Sequence, residues 1–198
     1  MRVIAGKFRS RLLVAPRGEE TRPTSDRLRE ALFNILAAGS GTTGMEGARF
    51  VDLYAGTGAV GIEAVSRGAA KVWLAEKAEP ALKAIRTNLE TLGIVSGVEV
   101  DERGAGALLE RLVKARVVVD VVYLDPPWEV EAEYVRTLEL LGSERGRAML
   151  AQDAVVVAEH SSKKKLAERY GGLDRIRELK QGDAALSFYR VEANAQML

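Results

Sequence analysis

Arg49-Phe-Val-Asp52-Leu-Tyr-Ala55-Gly56-Thr57-Gly58-Ala-Val-Gly61 is the stretch that decides the fold. A short apolar run ends in a carboxylate, glycines follow at 56, 58 and 61, and the apolar segment AVGIEAVSRG continues as a helix would. Glycine lets the chain turn tightly and lets a ligand approach the backbone, while amides at a helix N-terminus favour an anionic group. A strand running through such a loop into a helix is therefore a nucleotide-type pocket, although glycine-rich turns also serve merely to pack a helix on a strand.

Working outward, the same alternation repeats. Strands are expected at RFVDLY, KVWLAE, GVEV, VVVDVVYLD and AVVVAEH, with helices over AVGIEAVSRG, EPALKAIRTNLETLG, GALLERLVKA, EAEYVRTLELL and SKKKLAERYG. Val-rich strands separated by helices imply a mostly parallel sheet with helices on both faces. The tail LDRIRELKQGDAALSFYRVE breaks the rhythm as two strands joined at Gln181-Gly182-Asp183, giving a seven-stranded α/β sheet closed by a C-terminal antiparallel hairpin. Upstream, RVIAGKFRSRLLVA alternates around Gly6 as a small β-hairpin would, and Ser25 or Asp26 can cap a helix through DRLREALFNILAAG. The expected division is a basic N-terminal extension over 1–24 and a single catalytic domain over 25–198.

Composition narrows the chemistry. The chain has 198 residues, 47% hydrophobic and 29% charged, enough for one core and too few for two ordinary domains. With 0 Cys and 1 His, disulfides, thiolate zinc sites and a cysteine nucleophile are excluded, and no metal site is expected. No signal peptide or membrane span is legible, so a soluble, cytoplasmic protein without membrane attachment is the default. The net charge of +1 hides a split: residues 1–29 hold eight basic and three acidic residues, about +5, against about −4 for the rest. A basic front end on a nearly neutral body points to nucleic acid, or to no more than a solvated basic hairpin.

Two carboxylates sharpen the pocket. Glu76, at the end of the second strand, can accept hydrogen bonds from both hydroxyls of a ribose, with Lys77 beside it. Asp52 can pair with an ammonium group such as that of S-adenosylmethionine, whereas beside a pyrophosphate it would repel; alternatively it only orders the loop by accepting its amides. The deciding feature is Asp125-Pro126-Pro127-Trp128 at the end of VVVDVVYL. Consecutive prolines stiffen the backbone and donate no hydrogen bond, so the Asp125 carboxylate and the carbonyls offer acceptors only. Such a site receives N–H donors. Holding both hydrogens of an exocyclic base amine favours a pyramidal nitrogen with its lone pair aimed at an activated methyl, and Trp128 can stack on the base.

These residues carry a resemblance. DLYAGTGAVGIEA, then AEK, then DPPW is similar to the class I S-adenosylmethionine-dependent methyltransferases acting on amino nitrogens, whose signature is (D/N)PP(Y/F/W). The front segment RVIAGKFRSRLLVAP with RPTSDRLREALFNIL resembles the RsmD family of 16S rRNA guanine-N2 methyltransferases, and the likeness runs from Arg2 to the tail LSFYR. The resemblance implies a Rossmann-like methyltransferase fold and S-adenosylmethionine as cofactor. It implies 16S rRNA, within the small ribosomal subunit or its assembly intermediate, as partner, and the protein is expected to act as a monomer. It places Asp52, Ala55, Gly56, Thr57, Gly58 and Gly61 around the methionine portion, Glu76 with Lys77 at the ribose, and Asp125 to Trp128 in the catalytic loop. Arg22, Thr24 and Arg27 would lie near the cofactor mouth or the RNA, alongside Arg9 and Arg11 of the basic segment. Where relatives place Asn or Asp near the adenine, this chain reads Glu102-Arg-Gly104-Ala105, so backbone groups at Gly104 and Ala105 take that role or the contact differs.

His160, at the end of AVVVAEH, is read as a surface residue or as a contact to base or phosphate; Lys163, Lys164 and Lys165 as a solvated helical turn or as phosphate contacts. Trp73, Phe188 and Tyr189 are expected in the core. Two other functions remain open at this point: methylation of adenine N6 or of a protein amide, and a non-catalytic RNA-binding ribosome-assembly module. A nicotinamide dehydrogenase fits less well, since no separate substrate domain is present.

Overall fold

The computed structural model describes residues 1–15, 25–39 and 45–192, which fall into two compact units, Met1 to Arg111 and Leu112 onward. In the first unit the helix α1 (Asp26–Gly39) is capped by Ser25, whose hydroxyl accepts the Leu28 amide at 3.1 Å. Then follow β1 (Arg49–Asp52), α2 (Ala59–Ser66), β2 (Lys71–Ala75), α3 (Glu79–Thr91), β3 (Val98–Asp101) and the larger part of α4 (Ala105–Lys114). The strands run parallel in the order β3-β2-β1, with Asp52 opposite Leu74 and Ala75 opposite Asp101. Parallel pairing in this register brings the carboxyl ends of all three strands to one edge, where ligands of such sheets bind.

The front segment makes its antiparallel pairing at one bridge, Arg2 with Leu12. Val3 and Leu13 are buried in a cluster with Ala59, Ile62 and Leu92, so the segment shares the core of α2 and α3. Its main chain is bonded to α2: the Glu63 carboxylate accepts the amides of Ile4 (2.8 Å) and Ala5 (3.0 Å), and the Ser66 hydroxyl accepts the Phe8 amide (2.9 Å). Glu63 is fully buried and also meets Arg67 (2.8 Å) and Arg29 (3.8 Å). Removing one member of such a buried pair costs on the order of 3–5 kcal/mol, because it strands the other charge. One of the eight cations of the basic front is thus committed to the interior: Arg29 is fully buried and donates to the Arg2 carbonyl.

The second unit contains β4 (Val119–Leu124), α5 (Glu131–Gly142), α6 (Glu144–Arg147), β5 (Leu150–Ser161), β6 (Arg169–Tyr170), β7 (Leu173–Gln181) and β8 (Ala184–Val191). Its strands lie in the order β4-β5-β8-β7-β6, parallel between β4 and β5 and antiparallel thereafter. The hairpin turns at Gly182, whose φ is 63°. The described residues form eight strands rather than seven, because the two-residue β6 arises where the sequence pattern predicts a helix over SKKKLAERYG. Tertiary anchors override the local preference there: Lys164 is drawn over the Tyr134 ring (4.5 Å), Leu166 is buried, and the Tyr170 ring packs edge-on to Tyr189 at 5.7 Å. Trp73, Phe188 and Tyr189 are core residues, as their patterning predicts.

Candidate functional site

The glycine loop is built by carboxylates placed behind it. Asp52, almost wholly buried at the end of β1, accepts the Gly61 amide in the first turn of α2 at 3.2 Å. A side chain at Gly61 would collide with Leu74 and crowd Val72, so glycine is what lets α2 approach the sheet. Gly56 and Gly58 take left-handed φ values of 53° and 78°, which glycine adopts without strain. Around Gly56 a Cβ would meet nothing within 4 Å, leaving open space above the loop. From the neighbouring strand end, Glu76 accepts the Gly56 amide at 2.8 Å through one oxygen and the amides of Lys77 (2.7 Å) and Ala78 (2.8 Å) through the other. The loop-ordering role considered for Asp52 is therefore present, and Glu76 shares it. Ala55 is buried, while Thr57 is half-buried beside the open cradle.

At the end of β3 the structure brings forward a residue that sequence reasoning passed over. Asp101 is 5% exposed and is gripped by Arg103 through 3.0 Å and 2.8 Å bonds and by Arg111 at 3.3 Å. The Arg103 guanidinium holds its carboxyl below the usual Asp range. Gly104 has φ 89° and lies under the aliphatic chain of Lys77, whose Cδ would stand 2.7 Å from a Cβ there; Ala105 is buried at the start of α4. The carboxylate that the sequence lacks after β3 is thus present at its last residue, locked by two arginines.

The second unit positions the Asp125-Pro126-Pro127-Trp128 turn by itself. β4 delivers a half-buried Asp125, and the turn closes with the Val130 amide on the Pro127 carbonyl at 2.9 Å. Pro126 is buried and its carbonyl is met by the hydroxyl of fully buried Tyr134 at 3.1 Å, which also lies 3.0 Å from the Glu159 carbonyl on β5. A carbonyl has two lone pairs, so one remains for a further donor. Tyr134 is a second residue the sequence reading missed; its only signal was an aromatic on the apolar face of α5.

Among the RNA candidates, Arg9, Arg11 and Arg27 are exposed, and Arg22 and Thr24 lie outside the described residues. His160 is a correction. It is fully buried, its Nδ1 donating to the Ser161 carbonyl (2.9 Å) and its Nε2 meeting the Ser187 hydroxyl (2.9 Å), so it is neither a surface group nor an RNA contact. Burial pushes its pKa down. Lys164 is likewise tucked against Tyr134, with 13% of its side chain exposed. Among the described residues no cluster of His, Asp and Glu is placed to hold a metal ion, and no helix is long and apolar enough to cross a membrane.

With that geometry in place, comparison with known proteins is informative. A family model described as Conserved hypothetical protein 95 matches residues 1–190. YlbH of Bacillus subtilis is 32% identical over 190 residues, covering 96% of this chain and 98% of that one. The ribosomal RNA small subunit methyltransferase D of Escherichia coli is 30% identical over 196 residues, covering 99% and 92%. The solved Escherichia coli chain yhhF, described as a methyltransferase, superposes with a TM-score of 0.78 at 32% identity over 98% of each chain.

Proposed function

Because this chain belongs to the family of the ribosomal RNA small subunit methyltransferase D proteins and shares their Rossmann-like methyltransferase fold, we propose that it methylates the N2 amine of a guanine in 16S rRNA, on an assembling small subunit. The protein is an rRNA methyltransferase, and its cofactor is S-adenosylmethionine, which the carboxylate-backed glycine loop suits. The observation that carries the finer reading is the turn from Asp125 to Trp128, which offers acceptors and no donor at its two prolines, with the Pro126 carbonyl steadied by Tyr134.

The residues of the first unit fit the cofactor. Gly56 leaves open space for a ligand lying on the backbone, Asp52 suits the ammonium of the methionine portion, and Glu76, after accepting three amides, retains a lone pair on Oε2 for a ribose hydroxyl. When bound, S-adenosylmethionine supplies an electrophilic methyl group. Asp125 holds one hydrogen of the guanine amine and takes up the proton that the nitrogen sheds; the Pro126 carbonyl accepts the other hydrogen. Trp128 stacks on the base and fixes its plane. Exposed Arg9, Arg11 and Arg27, with Arg22 and Thr24, bind the RNA backbone, and the protein acts as a monomer.

The test is incubation with labelled S-adenosylmethionine and immature small subunits, followed by digestion and mass spectrometry. The expected product is N2-methylguanine at one 16S position. N6-methyladenine, methylated protein or no incorporation overturns the proposal.

A further inference from the structure

Asn88 is out of place by composition. It sits on the buried face of α3 among Ala81, Leu82, Ala84 and Ile85, and is 1% exposed. An amide on an apolar face costs stability unless every polar atom is matched. Here each one is. Oδ1 accepts the Val14 amide at 2.7 Å, and Nδ2 donates to the Val14 carbonyl at 3.1 Å and to the Thr57 carbonyl at 3.0 Å. One planar group thus binds two chain segments that are far apart in sequence: the end of the basic front segment and the middle of the glycine loop.

The two segments matter for different ligands. Thr57 stands between Gly56 and Gly58, both with positive φ, so the loop's own backbone is permissive and its path depends on what holds it. Glu76 holds it at the Gly56 amide, and Asn88 holds it at the Thr57 carbonyl. A further contact runs from the Thr57 hydroxyl to the Met1 sulfur at 3.6 Å. The front segment carries exposed Arg9 and Arg11, and the Arg11 carbonyl accepts the Val3 amide at 3.0 Å. Its backbone is tied to α2 at Glu63 and Ser66, in the helix that the glycine loop opens. A load placed on the front segment by RNA therefore has a continuous hydrogen-bonded route to the loop.

We infer that Asn88 is a positioning residue that couples RNA docking on the front segment to cofactor binding at the glycine loop, each favouring the other. This rests on the RNA and cofactor roles proposed above. Coupling between sites is reciprocal, so either ligand can report it. The two donor bonds decide the effect, since an aspartate at 88 would keep an acceptor for the Val14 amide while facing both carbonyls with negative charge.

The experiment is calorimetric titration of S-adenosylhomocysteine into the full chain, alone and with immature small subunits. In the unsubstituted protein the subunits should tighten binding by about fivefold or more, within the usual range for coupled sites. Asn88→Leu removes all three bonds, and Asn88→Asp keeps the acceptor for the Val14 amide while losing both donor bonds; each should bring the ratio below about twofold. Thermal melting verifies that each variant is folded, a readout that a merely structural role would move without touching the ratio. A ratio below fivefold in the unsubstituted protein, or full coupling kept in either folded variant, overturns the inference. Absence of any S-adenosylhomocysteine binding to the unsubstituted protein would instead sink the cofactor assignment.

Discussion

The glycine loop and the Asp125 turn solve opposite problems with opposite materials. The first is donor-rich: its amides at Gly56 and Gly61 are already spoken for by Glu76 and Asp52, so two carboxylates sit behind the backbone and shape it. The second is donor-poor: its prolines supply no N–H, and its Pro126 carbonyl is steadied by a hydroxyl from α5. A loop ordered by carboxylates tolerates glycine's freedom because the restraint comes from outside, whereas the proline turn is stiff in itself and needs only orientation. The contrast separates affinity from turnover, and each loop should be damaged in one of the two.

The largest effect is expected in the proline turn. Asp125→Ala should lower methyl transfer about a thousandfold, as losing a positioned proton acceptor does, while S-adenosylhomocysteine affinity stays within about tenfold; a variant with unimpaired turnover removes Asp125 from the chemistry. Glu76→Ala should do the reverse. It frees three loop amides and removes the ribose acceptor, so cofactor affinity should fall about 30-fold, or ~2 kcal/mol, with calorimetry as the check; unchanged affinity would break the comparison at its first loop. Tyr134→Phe keeps the ring under Lys164 but deletes the hydroxyl on the Pro126 carbonyl. A loss of about fivefold in kcat at constant KM for the cofactor is expected, and a shift in KM instead would assign Tyr134 to binding.

The smallest effect concerns stability. Burial lowers the His160 pKa, so the folded state favours the neutral ring while the unfolded chain takes up a proton below its ordinary value of about 6.5. Stability contributed by the neutral ring is present above that pH and is lost as pH falls through it. His160→Gln should flatten the decline in Tm between about pH 7 and 5, measured by calorimetric melting; an equally steep decline would place the sensitivity elsewhere.

The parts legible in the sequence are those encoded locally. Glycines 56, 58 and 61, the carboxylates at strand ends and the proline pair declare themselves by spacing, because turn geometry and donor inventory are properties of a few adjacent residues. What escaped is what tertiary packing decides. Arg29 counted as a surface cation until Glu63 drew it inside, and His160 looked exposed until β8 covered it with Ser187. Three successive lysines and Glu168 favour a helix, yet Lys164 finds a better partner in an aromatic face from α5. Asp101 was hidden differently: the expected strand GVEV stops one residue short of it, and only its capture by Arg103 and Arg111 brings it forward at the strand end.

The bonds between the front segment and α2 have a consequence for how this protein can vary. Glu63 and Ser66 grip amides at Ile4, Ala5 and Phe8, the Lys7 amide donates to the Ser66 carbonyl at 2.7 Å, and Asn88 grips the main chain of Val14. None of these bonds reads a side chain of the segment. Its exposed residues, such as Arg9 and Arg11, can drift, changing the charge and shape offered to RNA while the attachment persists; buried Val3 and Leu13, and Gly6, where a Cβ would run into the Ser66 carbonyl, cannot. Proline is a further exception at each of the five gripped positions, since it alone lacks the hydrogen by which the segment is held.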